Sequence, residues 1–143
     1  MDKYLKANAI LSVFSKNYMD LKSGLPIRPS EMGVLNIISE TSGPHTPLLL
    51  AKLLSVSKPM ITAHLTTLLK KGYIEKKQSS DDKRVFYIMP TNKALELVKS
   101  AKADLNQHLE QLLHEMGESE FNDLVKLAEK ANSILEKNRG ECV

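Results

Sequence analysis

The sequence predicts a mainly α-helical fold with one β-hairpin, and three observations support this prediction. Apolar residues recur at helical spacing in six segments of the 143-residue chain. Only residues 73–89 show the pattern of two short strands. Two short helical segments, separated by a brief break, come directly before this hairpin. That order of elements is typical of a winged helix-turn-helix.

The first three predicted helices follow one another through proline-containing breaks. Residues 3–22 and 31–40 have apolar positions at spacings of three, four and seven, which predicts the first two helices. After the loop TSGPHTP, Thr46 is the predicted cap of a third helix, with a proline at its first position, where a missing N–H costs nothing. The third helix, residues 48–54, is apolar apart from Lys52, and we expect it to be buried on most sides.

The fourth predicted helix begins after Ser57, a capping residue, and ends before Gly72. At 100° per residue, Ile61, Leu65 and Leu68 share one side. The opposite side is formed by Pro59, Thr62, Ala63, Thr66 and Lys70. Threonine is a poor helix former, so its repetition here needs a reason. Contact with nucleic acid supplies one, because threonine hydroxyls reach phosphates or base edges and its methyl group meets the thymine methyl.

Residues 73–78 and 84–89 are the two predicted strands of the hairpin. We expect Ile74, Phe86 and Ile88 to face inward. The connection SSDDK lacks glycine, which predicts a longer open loop instead of a tight turn. A basic tip carrying Lys83 and Arg84 could enter the negative potential of a narrow minor groove.

Two long helices complete the chain. Thr91 caps a fifth helix that runs to about residue 115, and a sixth helix starts with negative charge at Glu118. The apolar faces of the first, fifth and sixth helices are too wide for one small lobe to cover, which favours a helical dimer interface. We therefore interpret residues 1–143 as a single chain with a winged-helix lobe at 30–90. The dimerisation lobe is expected at 1–24 and 91–138.

Positive charge is concentrated around the hairpin. The whole chain carries a formal charge of +3, whereas residues 52–84 contain eight basic and three acidic residues. This segment therefore carries +5, and the remainder carries −2. Such a distribution is typical of a local phosphate-binding surface.

Several classes of protein are disfavoured by the sequence. No G-x-S-x-G, phosphate-binding glycine loop, H-E-x-x-H or carboxylate pair is present, so we expect no enzyme, cofactor or metal site. The amphipathic N-terminus and the lack of a long apolar run favour a soluble, cytoplasmic protein without a membrane partner. The one cysteine, Cys142, lies in the tail without an activating partner, which disfavours redox sensing.

The chain resembles the multiple-antibiotic-resistance regulator (MarR) family over essentially its whole length. The helix-turn-helix stretch LLLAKLLSVSKPMITAHLTTLLKKGYI is typical of that family. A wing signature is more specific to the family than this stretch, and here it reads Asp82-Lys83-Arg84, then Ile88, then Pro90-Thr91. Two positions depart from the family pattern: Pro90 stands where leucine is frequent, and Ala94 stands where glycine is frequent.

The resemblance implies a homodimeric transcription regulator, commonly a ligand-responsive repressor, on an inverted-repeat operator in double-stranded DNA. Asp82 would support the wing. The fourth helix has no Arg, Asn or Gln on its outward side, so we expect modest direct base readout. The residues expected to contact DNA are Ser57, Lys58, Pro59, Thr62, Thr66, Lys70, Lys83 and Arg84.

The resemblance also implies a small lipophilic or phenolic effector. Its candidate pocket residues are Phe14, Tyr18, Met32, Leu35 and His108. A metal-responsive regulator of the same fold is an alternative, although His108 and His114 lie six residues apart and cannot share one ion on a helix. A winged-helix module that binds protein is the second alternative. It predicts an apolar or acidic outward side on the fourth helix.

Overall fold

The structure is a computed structural model that describes residues 2–141; Cys142 lies outside them. Within these residues the chain forms six helices and one two-stranded antiparallel sheet, which confirms the predicted winged helix-turn-helix fold. It divides into two compact units after Ala103. The elements are α1 (Lys3–Asp20), α2 (Pro29–Glu40), α3 (Pro47–Leu54), α4 (Lys58–Lys70), β1 (Ile74–Gln78), β2 (Phe86–Pro90), α5 (Asn92–Met116) and α6 (Glu118–Glu141).

The hydrophobic core of the first unit is built around α4. Ile61, Leu65 and Leu68 are buried there, which confirms the inward side predicted from helical spacing. Fully burying one such side chain stabilises the fold by roughly 1.5–3 kcal/mol. The core comprises Ile27, Met32, Val34, Leu35, Ile38, Leu50, Ala51, Ile61, Leu65, Leu68, Tyr73, Ile74, Ile88, Ala94 and Val98.

The expectation that α3 is buried on most sides is wrong. Only Leu50 and Ala51 are buried, whereas Leu48 and Leu53 are 52% and 54% exposed. The helix has eight residues and packs one side against α2 and α4. The other side of α3 is therefore exposed to solvent although its residues are apolar.

The apolar side chains of α1 and α6 are largely uncovered. No residue of α1 is buried, and Tyr4 and Leu11 are 73% and 64% exposed. In α6, Leu127 and Leu135 are 66% and 60% exposed. Exposed apolar side chains in such number on a helix indicate a surface that interacts with a partner.

No single helix of residues 2–141 is long and apolar enough to cross a membrane. The helices α3 and α4 together have the length and apolar composition of a membrane span, but the angle between them is 113°.

Candidate nucleic-acid interface

The N-terminus of α4 is fixed by local caps. Ser55 adopts a left-handed conformation (φ 54°) at the end of α3, which turns the chain sharply. Ser57 then accepts a hydrogen bond through its Oγ from the backbone N–H of Met60, at 3.3 Å. Lys58 and Pro59 are left exposed at the start of the helix. The first turn of α4 therefore presents an exposed cation to solvent.

The side of α4 opposite the core is exposed along its length. Thr66 donates its hydroxyl proton to the carbonyl oxygen of Thr62, at 2.8 Å. Thr67, which is half-buried, donates in the same way to the carbonyl of Ala63, at 3.1 Å. Within residues 2–141 the hydroxyl of Thr62 makes no hydrogen bond, so it is available to a partner. The exposed residues of this side are Pro59, Thr62, Ala63, Thr66 and Lys70.

A Schellman motif ends α4. Gly72 has a φ of +80°, a conformation that disfavours residues with a Cβ. The N–H of Tyr73 donates to the carbonyl of Leu68 at 2.9 Å, and the N–H of Gly72 donates to the carbonyl of Leu69 at 3.1 Å. These two bonds supply hydrogen-bond donors to carbonyl groups that would otherwise have none at the end of the helix.

The end of α4 is also joined to the start of α5. Thr91 donates its hydroxyl proton to the carbonyl of Gly72 at 2.8 Å. Lys93 donates from Nζ to the carbonyl of Lys71 at 2.7 Å, and the same ammonium lies 4.5 Å from the centre of the Tyr73 ring. The sequence reasoning missed Lys93, since only the fold brings it to the negative end of α4.

The wing is an antiparallel ladder in which Ile74 faces Pro90 and Gln78 faces Phe86. Ile88 donates its N–H to the carbonyl of His45 at 2.8 Å, which ties the wing to the loop before α3. The prediction that Phe86 faces inward is wrong, because its side chain is 42% exposed. Phe86 belongs to the outermost pair of the ladder and projects past the core that covers Ile88.

The tip of the wing is more ordered than the predicted open loop. The buried Ser79 accepts through Oγ from the N–H groups of Asp81 and Asp82, at 3.2 and 3.4 Å. Gln78 donates from its side-chain amide to the carbonyl of Lys83 at 2.8 Å. A serine that bonds the backbone two and three residues later is a recognised turn former, and the Ser79-Ser80-Asp81-Asp82 stretch carried that signal.

Asp82 orients Arg84 at this tip. One carboxylate oxygen of Asp82 accepts from the backbone N–H of Arg84 at 3.0 Å and from its Nε at 3.2 Å. These two bonds, the backbone one first, lower the pKa of the Asp82 carboxyl. The Arg84 side chain remains 91% exposed. An ion pair this exposed contributes little to stability. Its effect is to fix the orientation of the Arg84 guanidinium.

An open groove of about 420 Å³ lies between the start of α3, the start of α4 and the start of β2. Lys58 and Arg84 line this groove together with Thr62, whose hydroxyl has no hydrogen-bond partner among the described residues. Two cations beside an apolar floor form a surface to which an anionic ligand is attracted. The lining residues are Thr46, Pro47, Leu48, Lys58, Ile61, Thr62, Arg84, Val85 and Phe86.

The predicted effector residues occupy different environments. Phe14 and Tyr18 stack on α1 with their ring centres 6.3 Å apart. Met32 and Leu35 are part of the core. His108 is exposed on α5, in the second unit. No group of three or more His, Cys, Asp or Glu side chains within residues 2–141 is placed to hold a metal ion.

Comparisons with known proteins agree with this architecture. A sequence model of the MarR family matches residues 27–86. Streptococcus pneumoniae FabT, solved in complex with DNA, is 25% identical; the match covers 94% of this chain and 99% of that one, with a TM-score of 0.80. The DNA complex of S. aureus MepR is 21% identical over 89% and 95% of the two chains, with a TM-score of 0.68.

A transcriptional regulator from Thermotoga maritima, Tm0710, is 20% identical, with a TM-score of 0.61 and coverage of 94% and 96% of the two chains. The fold, the capped outward helix and the wing define a winged helix-turn-helix protein of the transcription-regulator class. Residues 27–86, which form most of the winged helix-turn-helix, match the MarR family.

Proposed function

We propose that this chain is a sequence-specific, double-stranded DNA-binding regulator that acts as a homodimer on an inverted-repeat operator. In this proposal α4 enters the major groove and the wing enters the flanking minor groove. The observation that carries it is the shared groove, in which the first turns of α4 and the wing residue Arg84 present two cations to one surface.

The charges around α4 and the wing support DNA as the ligand. Lys58, Lys70, Lys83 and Arg84 are all exposed there, and lysine and arginine gain affinity by releasing counterions from phosphates. Ser57, Pro59, Thr62 and Thr66 are the further contact residues of the proposal, and Asp82 is the support of the wing. FabT and MepR, which share the fold, have been solved with DNA.

The uncovered apolar faces of α1 and α6 support the homodimer. A second copy would bury side chains such as Leu11 and Leu127, which this chain alone leaves in water. The two copies of α4 would then meet half-sites about one helical turn apart, roughly 34–36 Å. In this proposal residues 30–90 are the reading lobe, and residues 1–24 and 91–138 make the dimer contact.

We also propose that the protein is a repressor released by a small lipophilic or phenolic effector. This part of the proposal rests on the resemblance to the MarR family. The candidate pocket residues are Phe14, Tyr18, Met32, Leu35 and His108. The metal-responsive alternative has no ligand cluster in its favour among the described residues. A compound screen on the protein–DNA complex, with a chelator arm, separates the two mechanisms.

The test is selection of bound duplexes from a random library, followed by fluorescence anisotropy of the selected duplex and of a scrambled one. We expect an inverted repeat, a two-chain mass for the bound protein, and tighter binding to the repeat. Affinity should fall steeply between about 50 and 200 mM salt, because each phosphate contact adds to the slope. Salt-insensitive or undetectable binding to every duplex would refute the proposal and favour a protein-binding module.

A further inference from the structure

The outward side of α4 offers base edges methyl groups and almost no hydrogen-bond donors. Pro59 and Ala63 have no side-chain donor. Thr66 has one, but its proton is taken by the carbonyl of Thr62 at 2.8 Å. Beyond the Thr62 hydroxyl, the next free donor along this side is Lys70, the last residue of the helix. What Thr66 still presents is its methyl group and an acceptor oxygen.

Thr62 differs from Thr66 although both are exposed threonines on one helix. The Thr62 side chain lines the groove beside Lys58 and Arg84, at the edge of the outward side that faces the wing. Its hydroxyl has no hydrogen-bond partner within residues 2–141. Because two cations line the same groove, a phosphate oxygen is the partner that this hydroxyl suits. The two threonines therefore have separate tasks, which makes them an internal comparison.

The chemistry of base edges decides what the Thr66 side of the helix can accept. In the major groove guanine presents two acceptors, and thymine presents one acceptor and a methyl group. A surface without donors would strip water from the acceptors of guanine and leave them unpaired, which is costly. Only thymine offers an apolar group to such a surface.

We infer that α4 specifies thymine in each half-site through van der Waals contact between the thymine methyl and the methyl groups of Thr66 and Ala63. This inference rests on the proposed function, since it requires α4 in the major groove. The feature that is read is the methyl group of the A·T pair, and neither Ala63 nor Thr66 donates a hydrogen bond to the base.

Two substitutions at Thr66 separate its methyl group from its hydroxyl. Thr66→Val keeps a methyl at that position and loses the hydroxyl, whereas Thr66→Ser keeps the hydroxyl and loses the methyl. Losing the burial of one methyl group lowers affinity about fourfold, and about 15-fold when the loss occurs in both half-sites of a dimer. We expect Thr66→Val to bind within about twofold of the wild type and Thr66→Ser to bind about 15-fold more weakly.

The complementary change is made in the DNA. Each thymine of the selected repeat is replaced by deoxyuridine, symmetrically in both half-sites, which removes only the methyl group. We expect one or two positions per half-site at which wild type and Thr66→Val lose about 15-fold, while Thr66→Ser loses clearly less because only the Ala63 contact remains to be lost. As the control pair, Thr62→Val should weaken binding and Thr62→Ser should not, and neither should alter the deoxyuridine profile.

The outcomes separate this inference from the proposed function. Salt-sensitive binding with a flat deoxyuridine profile overturns methyl readout and leaves DNA binding in place. Tighter binding by Thr66→Ser than by Thr66→Val also overturns it, since the hydroxyl would then be the contact. Failure of the wild type to bind any duplex refutes the proposed function itself. Matched thermal melts of all four variants exclude misfolding as the cause of a loss.

Discussion

Removing the wing guanidinium should weaken DNA binding and flatten its dependence on salt. Arg84 is 91% exposed and is aimed by Asp82, so Arg84→Ala removes a positive charge without disturbing the core. One phosphate contact contributes about 0.9 to the slope of log affinity against log salt. A homodimer has two copies, so the slope should fall by about 1.8. Between about 50 and 200 mM salt the defect of the variant should therefore shrink roughly 12-fold.

Fluorescence anisotropy on the selected duplex at four salt concentrations measures this slope directly. The matched control is Arg139→Ala, which removes a positive charge from an exposed position near the end of α6, outside both the winged helix and the proposed dimer contact. We expect the control to keep the wild-type slope. If Arg84→Ala and the wild type give parallel lines, Arg84 makes no ionic contact with DNA and the assignment of the wing is wrong. A decrease near 0.9 instead would indicate that only one wing of the dimer is engaged.

Three further outcomes are expected. Because the pKa of Asp82 is lowered by bonds from Arg84, the stability that these bonds add is present above the ordinary value of 3.8 and is lost as the pH falls through the lowered value. The difference in unfolding free energy between wild type and Asp82→Asn should then be constant above about pH 5 and vanish in acid, as measured by melts across pH. Leu35→Ala, at a site with 0% exposure, should cost about 2–5 kcal/mol in urea unfolding. Thr91→Val removes the bond to the carbonyl of Gly72, which should cost about 0.5–1.5 kcal/mol. It also removes the cap on the N–H of Ala94, which should cost about 0.5–2 kcal/mol more, with an unchanged salt slope.

The order of the elements was predictable because its signals are local. The side chains of Thr46 and Ser57 accept hydrogen bonds from the backbone at 3.2 and 3.3 Å, which fixes where α3 and α4 begin. Gly72 adopts the positive φ that ends α4. Each signal concerns residues within one helical turn, so the sequence carries it without knowledge of the tertiary contacts.

Burial was less predictable because it depends on what a side chain meets. Leu48 and Leu53 have the apolar character of core residues, yet two helical turns pack one side only and leave both exposed. Phe86 shares the strand face of Ile88 but lies beyond the edge of the core. Lys93 had no sequence signal for its bond to the end of α4. In each case the deciding partner is distant in sequence.

The two ends of α4 are held in different ways, and the difference bears on regulation. The N-terminal end is held by its own cap at Ser57, a bond between neighbours in sequence. The C-terminal end is held by Thr91 and Lys93, which belong to the start of α5. A displacement of the first turn of α5 must therefore either break these bonds or move the end of α4 with it. Since the proposed methyl contacts of α4 and the proposed ionic contact of Arg84 both require an accurate approach to DNA, such a displacement would weaken both together. The junction at Thr91 and Lys93 is therefore where a change in the long helices would reach the reading surface.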